Sequence, residues 1–185
     1  MPQQNLYFIA IIPPAYICKE VTAFRNDFKE NYNSKAALKN MPHITLKAPF
    51  KIDVAHHEDV LKWFALLPVT KKHFSIQLHN FGAFKNPNNP VVFVQPVITE
   101  PLRILQEQII TSFATAYTNI PLHYHEHKFA PHMTIAYRDL AFSEFNKAWK
   151  VYCDKKYDAL FEVKSFYLLQ HNGVEWFVTA EHRID

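Results

Sequence analysis

Glycine is almost missing from this chain: among 185 residues only Gly82 and Gly173 are glycine. Loops that cradle a phosphate, and the fingerprint that binds dinucleotides, need several glycines within a few positions, because the backbone must turn sharply and approach the ligand closely. Neither pattern can be written anywhere in this sequence, which excludes a P-loop NTPase and a Rossmann oxidoreductase. Cysteine is as scarce. Cys18 and Cys153 lie far apart and without metal-type spacing, so they read as two reduced thiols, and a cytoplasmic setting fits them. Long apolar runs are lacking too. Leu6 to Ile12 is stopped by Pro13-Pro14, far short of the roughly 20 residues that a membrane span requires, and reads as a buried strand of a soluble, unsecreted protein. Neither sign of charge dominates. The net charge of +3 suits a groove for a phosphorylated ligand and gives no footprint for duplex DNA and no sign of a membrane partner.

What is present is a large apolar inventory. The hydrophobic fraction is 49%, with 16 phenylalanines, and a chain of this length can bury roughly 70% of its unfolded surface without a disulfide or metal staple. Residues 1–185 read as one domain. Ile17, Val21, Phe24 and Phe28 recur at helical spacing and predict a helix from about Ala15 to Tyr32. A second is expected near His56 to Leu67, a third from Pro101 with Leu102, Leu105, Ile109 and Phe113 inward, and a fourth carrying Phe142, Phe145, Trp149 and Tyr152. Alternation predicts strands at His73–Leu78 and Val91–Val94, joined by the turn Asn86 to Pro90. Two closing strands, about Ala159–Gln170 and Val174–His182, should meet at Asn172-Gly173.

One pattern occurs twice. Pro42-His43-Ile44-Thr45-Leu46 is matched, almost half the chain later, by Pro131-His132-Met133-Thr134-Ile135. On a strand, side chains alternate, so each copy presents an imidazole and a hydroxyl on one face and apolar residues on the other. Each copy follows a strand and a helix and precedes another helix and strand. The order suggests a duplication with halves of about 1–85 and 86–185, and two lobes whose motif strands meet at a shared cleft. A lone His-x-Thr is weak evidence in a chain with 11 histidines, and His73-Phe74-Ser75 fits the same short pattern. The five-residue pattern, repeated at equivalent places, is far more specific.

The pair of motifs, their spacing and the double-lobe order resemble the 2H phosphoesterase superfamily, which includes the 2′-5′ RNA ligase-like proteins and the 2′,3′-cyclic nucleotide phosphodiesterases, and most closely its small stand-alone bacterial branch. Pro42 to Phe50, Phe81-Gly82-Ala83-Phe84 to Val94, and Phe129 to Tyr137 carry the match. Where many RNA ligase-like members have an aromatic residue and a glycine after the first motif, Lys47-Ala48-Pro49-Phe50 stands here. The resemblance implies an α+β fold of two pseudo-symmetric lobes, each an antiparallel sheet with helices on its outer face, around a central cleft. It also implies a metal-independent phosphodiesterase without cofactor, in which His43 and His132 act as acid and base and Thr45 and Thr134 hold the phosphate oxygens. Its substrate would be a 2′,3′-cyclic phosphate or a 2′-5′-linked nucleotide or RNA end.

Histidine suits such work, since its reference pKa of about 6.5 lets it serve as either acid or base near neutral pH. Lys47 and Arg138 are candidate phosphate ligands, and Tyr7, Phe84 or Tyr137 could stack a base. Two other readings stand beside this one. The same fold could hold RNA or a nucleotide without turning it over. Alternatively, His123, His125 and His127 would share one face if their segment were a strand, a plausible zinc arrangement; the segment lacks an evident carboxylate or cysteine partner, and a loop or rim is the preferred reading.

Overall fold

The computed structural model describes residues 3–184 apart from Lys71, with every side chain in that range except that of His125. Among the described residues, eight strands form two antiparallel sheets of four. The first contains β1 (Gln4–Ile11), β2 (Ile44–Asp53), β7 (Ser165–His171) and β8 (Trp176–Arg183), in the order β2-β1-β7-β8. The second contains β3 (Phe74–Phe84), β4 (Val91–Pro96), β5 (Met133–Ala136) and β6 (Asp158–Val163), in the order β5-β4-β3-β6. Helices α1 (Ala15–Tyr32) and α5 (Phe142–Tyr152) pack on the second sheet, while α2 (His57–Ala65) and α3 (Glu100–Ala116) cover the first. A single turn, α4 (Tyr124–His127), lies between α3 and β5. This is the α+β architecture of two antiparallel lobes with helices outside.

The lobes are not the two halves of the chain. A boundary at 85/86 falls inside the β3–β4 hairpin of one sheet, and β7 and β8 return from the C-terminal half to complete the other. The helices cross over as well: α1 follows a strand of the first sheet and packs against β5 of the second, and α3 does the reverse against β2. The apolar residues between helices and sheets consequently form one continuous core, from Ile17, Val21 and Phe28 of α1 to Leu102, Ile109 and Phe113 of α3. Each such side chain contributes about 1.5–3 kcal/mol when fully buried.

The segment expected as one strand over Ala159–Gln170 is two strands in different sheets, β6 and β7, divided at Lys164, whose carbonyl accepts the Ile184 N–H at 2.9 Å. Continuous alternation across Lys164 hid the change of sheet. Helix α1 has the bounds that its periodicity predicts, but Arg25, not Phe24, completes the buried stripe with Ile17, Val21 and Phe28.

The strand positions of both motifs are set by a matched irregularity. Ala10 pairs with Thr45 and Ile9 with Lys47, which makes Leu46 an extra residue in β2. Phe93 pairs with Thr134 and Val92 with Ala136, which makes Ile135 an extra residue in β5. A bulge of this kind interrupts the two-residue alternation. In both strands, the two residues after the threonine turn inward together.

Candidate active site

β2 and β5 are the edge strands of their sheets, and each motif sits at the entry to its strand. The main-chain geometry of the two histidines is the same. His43 Nδ1 lies 2.8 Å from the Met41 carbonyl and His132 Nδ1 lies 2.9 Å from the Ala130 carbonyl. A carbonyl can only accept, so Nδ1 carries the proton in each ring, and Nε2 is the acceptor nitrogen whenever the ring is neutral.

Thr45 borders two cavities. One, of about 190 Å³, is lined by Phe8, Arg25, His43, Thr134, Arg138 and Trp176 among others. The second, of about 300 Å³, carries Phe84, Glu126, Lys128, Phe129 and His132. The two histidines therefore flank a shared threonine, close enough that the charge of His132 acts on His43. Among the described residues, neither Thr45 nor Thr134 spends its hydroxyl in a hydrogen bond to protein.

The surroundings of the two imidazoles differ. The His43 ring lies 5.0 Å from Phe8, which meets Trp176 edge-on at 4.5 Å. Burial pushes its pKa down to about 4; the Met41 carbonyl opposes that shift, and the charges of Arg25 and His132 add to it. His132 packs between Phe84, edge-on at 5.1 Å, and Phe93 at 5.4 Å. Phe93 in turn lies over Gly82, where a Cβ would come within 2.3 Å of its ring, so this glycine is required for close approach.

The sequence-predicted ligands divide. Tyr137 and Arg138 border the His43 cavity, with the Arg138 guanidinium 5.0 Å from the Tyr137 ring and its backbone in the left-handed region at φ 57°. Lys47 does not reach it. The bulge at Leu46 turns Lys47 into the core, where it is 0% exposed, ion-paired to Glu126 at 2.7 Å and 4.1 Å from the Phe113 ring. Tyr7 is also a core residue. It is fully buried, and its hydroxyl meets His57 Nδ1 at 2.7 Å; Phe8, one position later, is the β1 aromatic that faces His43.

Three contributors escaped the sequence reading. Arg25 is buried, and its Nε and Nη2 donate to the Thr134 carbonyl at 3.1 and 2.8 Å while Nη1 donates to the Asn40 carbonyl. Burial lowers its pKa to about 10, so it stays charged at neutral pH. An arginine within an apolar helical stripe was the available signal. Trp176 gave none, because its place beside Phe8 follows from the long-range pairing of β1 with β7. Glu126 gave none either. Besides Lys47 it accepts the Ala48 N–H at 2.9 Å and the His123 N–H at 2.6 Å, tying α4 to β2. Tyr124–His127 is thus a helical turn with His123 as its extended N-cap, and the strand alternation that would align three imidazoles does not apply; the His125 side chain lies outside the described residues. No group of three or more histidine, cysteine or acidic side chains able to hold a metal occurs among the described residues. Nor, among them, is any helix long and apolar enough to cross a membrane.

Comparison with known proteins places the chain in a family. The family model described as the 2′-5′ RNA ligase superfamily matches residues 13–175. A Geobacillus kaustophilus protein named "Putative phosphoesterase" is 30% identical over 139 residues, covering 75% of this chain and 72% of that protein. A protein of the same name from Geobacillus sp. is 28% identical over 139 residues, with the same coverage of 75% and 72%. In fold, the chain is similar to E. coli LigT complexed with 3′-AMP, with a TM-score of 0.71 and 15% identity over 98% of each chain. It is also similar to a Thermus thermophilus protein, at a TM-score of 0.66 and 18% identity over 97% of each chain. The chain belongs to the 2′-5′ RNA ligase superfamily, the 2H phosphoesterases, and is an enzyme of the phosphoesterase type.

Proposed function

We propose that the protein is a phosphodiesterase that opens 2′,3′-cyclic phosphates or cleaves 2′-5′-linked nucleotides at RNA ends, with His43 as general base and His132 as general acid. The observation that carries this reading is the shared construction of the two rings: each is held through Nδ1 by its own carbonyl, on either side of Thr45. The orientation leaves Nε2 as the nitrogen that exchanges protons. His43, with a pKa pushed to about 4, is neutral at physiological pH, the form in which its Nε2 can take a proton from a water or ribose hydroxyl. His132 then delivers a proton to the departing ribose oxygen. Thr45 and Thr134 donate to the non-bridging oxygens, where charge accumulates in the transition state.

The base takes one proton from the attacking water or hydroxyl and the acid gives one to the leaving oxygen; solvent then removes the proton from His43 and returns one to His132, so the proton balance closes without a metal. Arg138 is the candidate cation for the phosphate, and Phe8, Trp176 and Tyr137 offer stacking surfaces for a base. E. coli LigT, similar in fold, has been solved with 3′-AMP, with ATP and with NADP+, which supports a nucleotide as the ligand here.

A panel of 2′,3′-cyclic nucleotides, 2′-5′ dinucleotides and cyclic-phosphate RNA ends, followed by phosphorus NMR in the presence of chelator, tests the proposal. Hydrolysis is expected, with the phosphate position of the product identifying the leaving oxygen. Tight binding of a 2′-phosphorylated nucleotide without any product would replace the enzyme by a binding module of the same fold.

A further inference from the structure

Arg25 occupies a place in the apolar stripe of α1 where a methionine or leucine would pack without surrendering a hydration shell. Its partners are neutral carbonyls, and none of the ion pairs among the described residues includes it. What distinguishes those carbonyls is their location. Thr134 belongs to the second motif, on the second sheet, while Asn40 lies three residues before His43, in the loop that leads into the first sheet. One planar guanidinium therefore bonds the main chain of both motif segments. The fork fixes distance and angle together, which a lysine, as a flexible point charge, cannot do.

The loop before β2 and the loop after β5 are also joined directly. Asp139 accepts Ser34 Oγ at 2.8 Å and the N–H groups of Lys35 and Ala36 at 2.9 Å each, and Asn40 Nδ2 donates to the Tyr137 hydroxyl at 3.0 Å. Those bonds hold the loops in place without touching a motif residue.

We propose that Arg25 is the positioning residue that sets the separation of His43 and His132 across the reacting phosphorus. The inference rests on the two-histidine reading above. Its consequence is kinetic: with the loops still tied through Asp139, loss of the fork lets the motifs drift apart without unfolding the lobes. A misplacement of about 1 Å at reacting groups costs on the order of 10²-fold in rate.

The test compares the unaltered protein with Arg25→Lys and Arg25→Met. In crystal structures, the Nε2-to-Nε2 separation of His43 and His132 is expected to widen by about 1 Å in Arg25→Lys; an unchanged separation overturns the proposal whatever the activity. With 2′,3′-cyclic AMP as probe, kcat is expected to fall about 10²-fold in both variants while KM stays within about threefold, the pattern of a lost transition-state alignment. A KM that rises with kcat unchanged would make Arg25 a ligand-binding cation and overturn the positioning role, and so would a kcat retained in Arg25→Lys. If Arg25→Met fails to fold, Arg25→Lys carries both readouts. Failure of the two-histidine reading is seen separately, as no turnover by the unaltered protein or full turnover by His43→Ala, and leaves the measured separation to decide Arg25.

Discussion

The first and second motifs start from the same local construction and end in unlike surroundings. Each has a histidine locked through Nδ1 to the carbonyl two residues back, a threonine on the same face, and a bulge directly after it. Beyond the bulge the copies diverge. The inward-turning residue is Lys47 in the first, which needs the buried carboxylate of Glu126; in the second it is Ala136, which needs nothing. The imidazoles diverge as well. His43 is enclosed by Phe8 and Trp176 beside the charge of Arg25, while His132 stands against Phe84 and Phe93 in the larger cavity. Main-chain geometry aims the two rings alike, and the environment differentiates them. On the proposed reading, that is how a repeated motif supplies both a base and an acid.

The comparison breaks most visibly if either imidazole is removed. His43→Ala and His132→Ala are each expected to lower turnover of a 2′,3′-cyclic nucleotide about 10²–10⁴-fold while the fold is retained by circular dichroism. The unlike environments predict different residual profiles: the acidic limb of kcat/KM, expected near pH 4, disappears with His43 and persists in His132→Ala. Equal activity in parent and mutants would remove the acid–base roles.

Lys47→Met sharpens the contrast beyond the bulge. It strands the buried Glu126 carboxylate and should cost about 3–5 kcal/mol in denaturant unfolding, whereas Lys47→Met with Glu126→Leu should recover most of that. KM of the folded fraction is expected to stay put; a raised KM would return Lys47 to the phosphate.

Gly82→Ala probes the bed of the second histidine alone. A Cβ placed 2.3 Å from the Phe93 ring forces that ring, which packs on His132, to shift, at a cost of about 1–3 kcal/mol in stability. Kinetically the loss should appear in kcat rather than in the acidic limb that belongs to His43.

The dependence of stability on pH probes the first histidine alone. His43 is held at about 4 in the folded protein, below its unfolded value of about 6.5. The unfolded chain therefore binds more protons between those values, and stability falls as pH drops from about 6.5 to about 4. His43→Asn should flatten that part of the curve in chemical denaturation; an unaltered slope would place the titrating group elsewhere.

Much of this arrangement is legible in the sequence, and the failures share a physical cause. Helices α1 and α3 and the repeated motif rest on local periodicity, which a single chain displays directly. Alternation then misleads wherever a strand is irregular: it carried Lys47 onto the face of Thr45, although the bulge at Leu46 turns it inward. The same rule ran β6 and β7 together across Lys164. In β1 the faces were clear in principle, but Tyr7 and Phe8 are both aromatic, and only the assembled sheets show which one meets His43. Glu126 and Trp176 owe their roles to partners remote in sequence, which no local pattern encodes.

The state of His43 is most directly read by nitrogen-15 NMR of the histidine rings in the unaltered protein, titrated without substrate. His43 is expected as a neutral ring protonated at Nδ1, gaining its second proton only near pH 4. A His43 that titrates near its ordinary value of about 6.5, or whose neutral form carries its proton on Nε2, would contradict the assignment of base and acid made here.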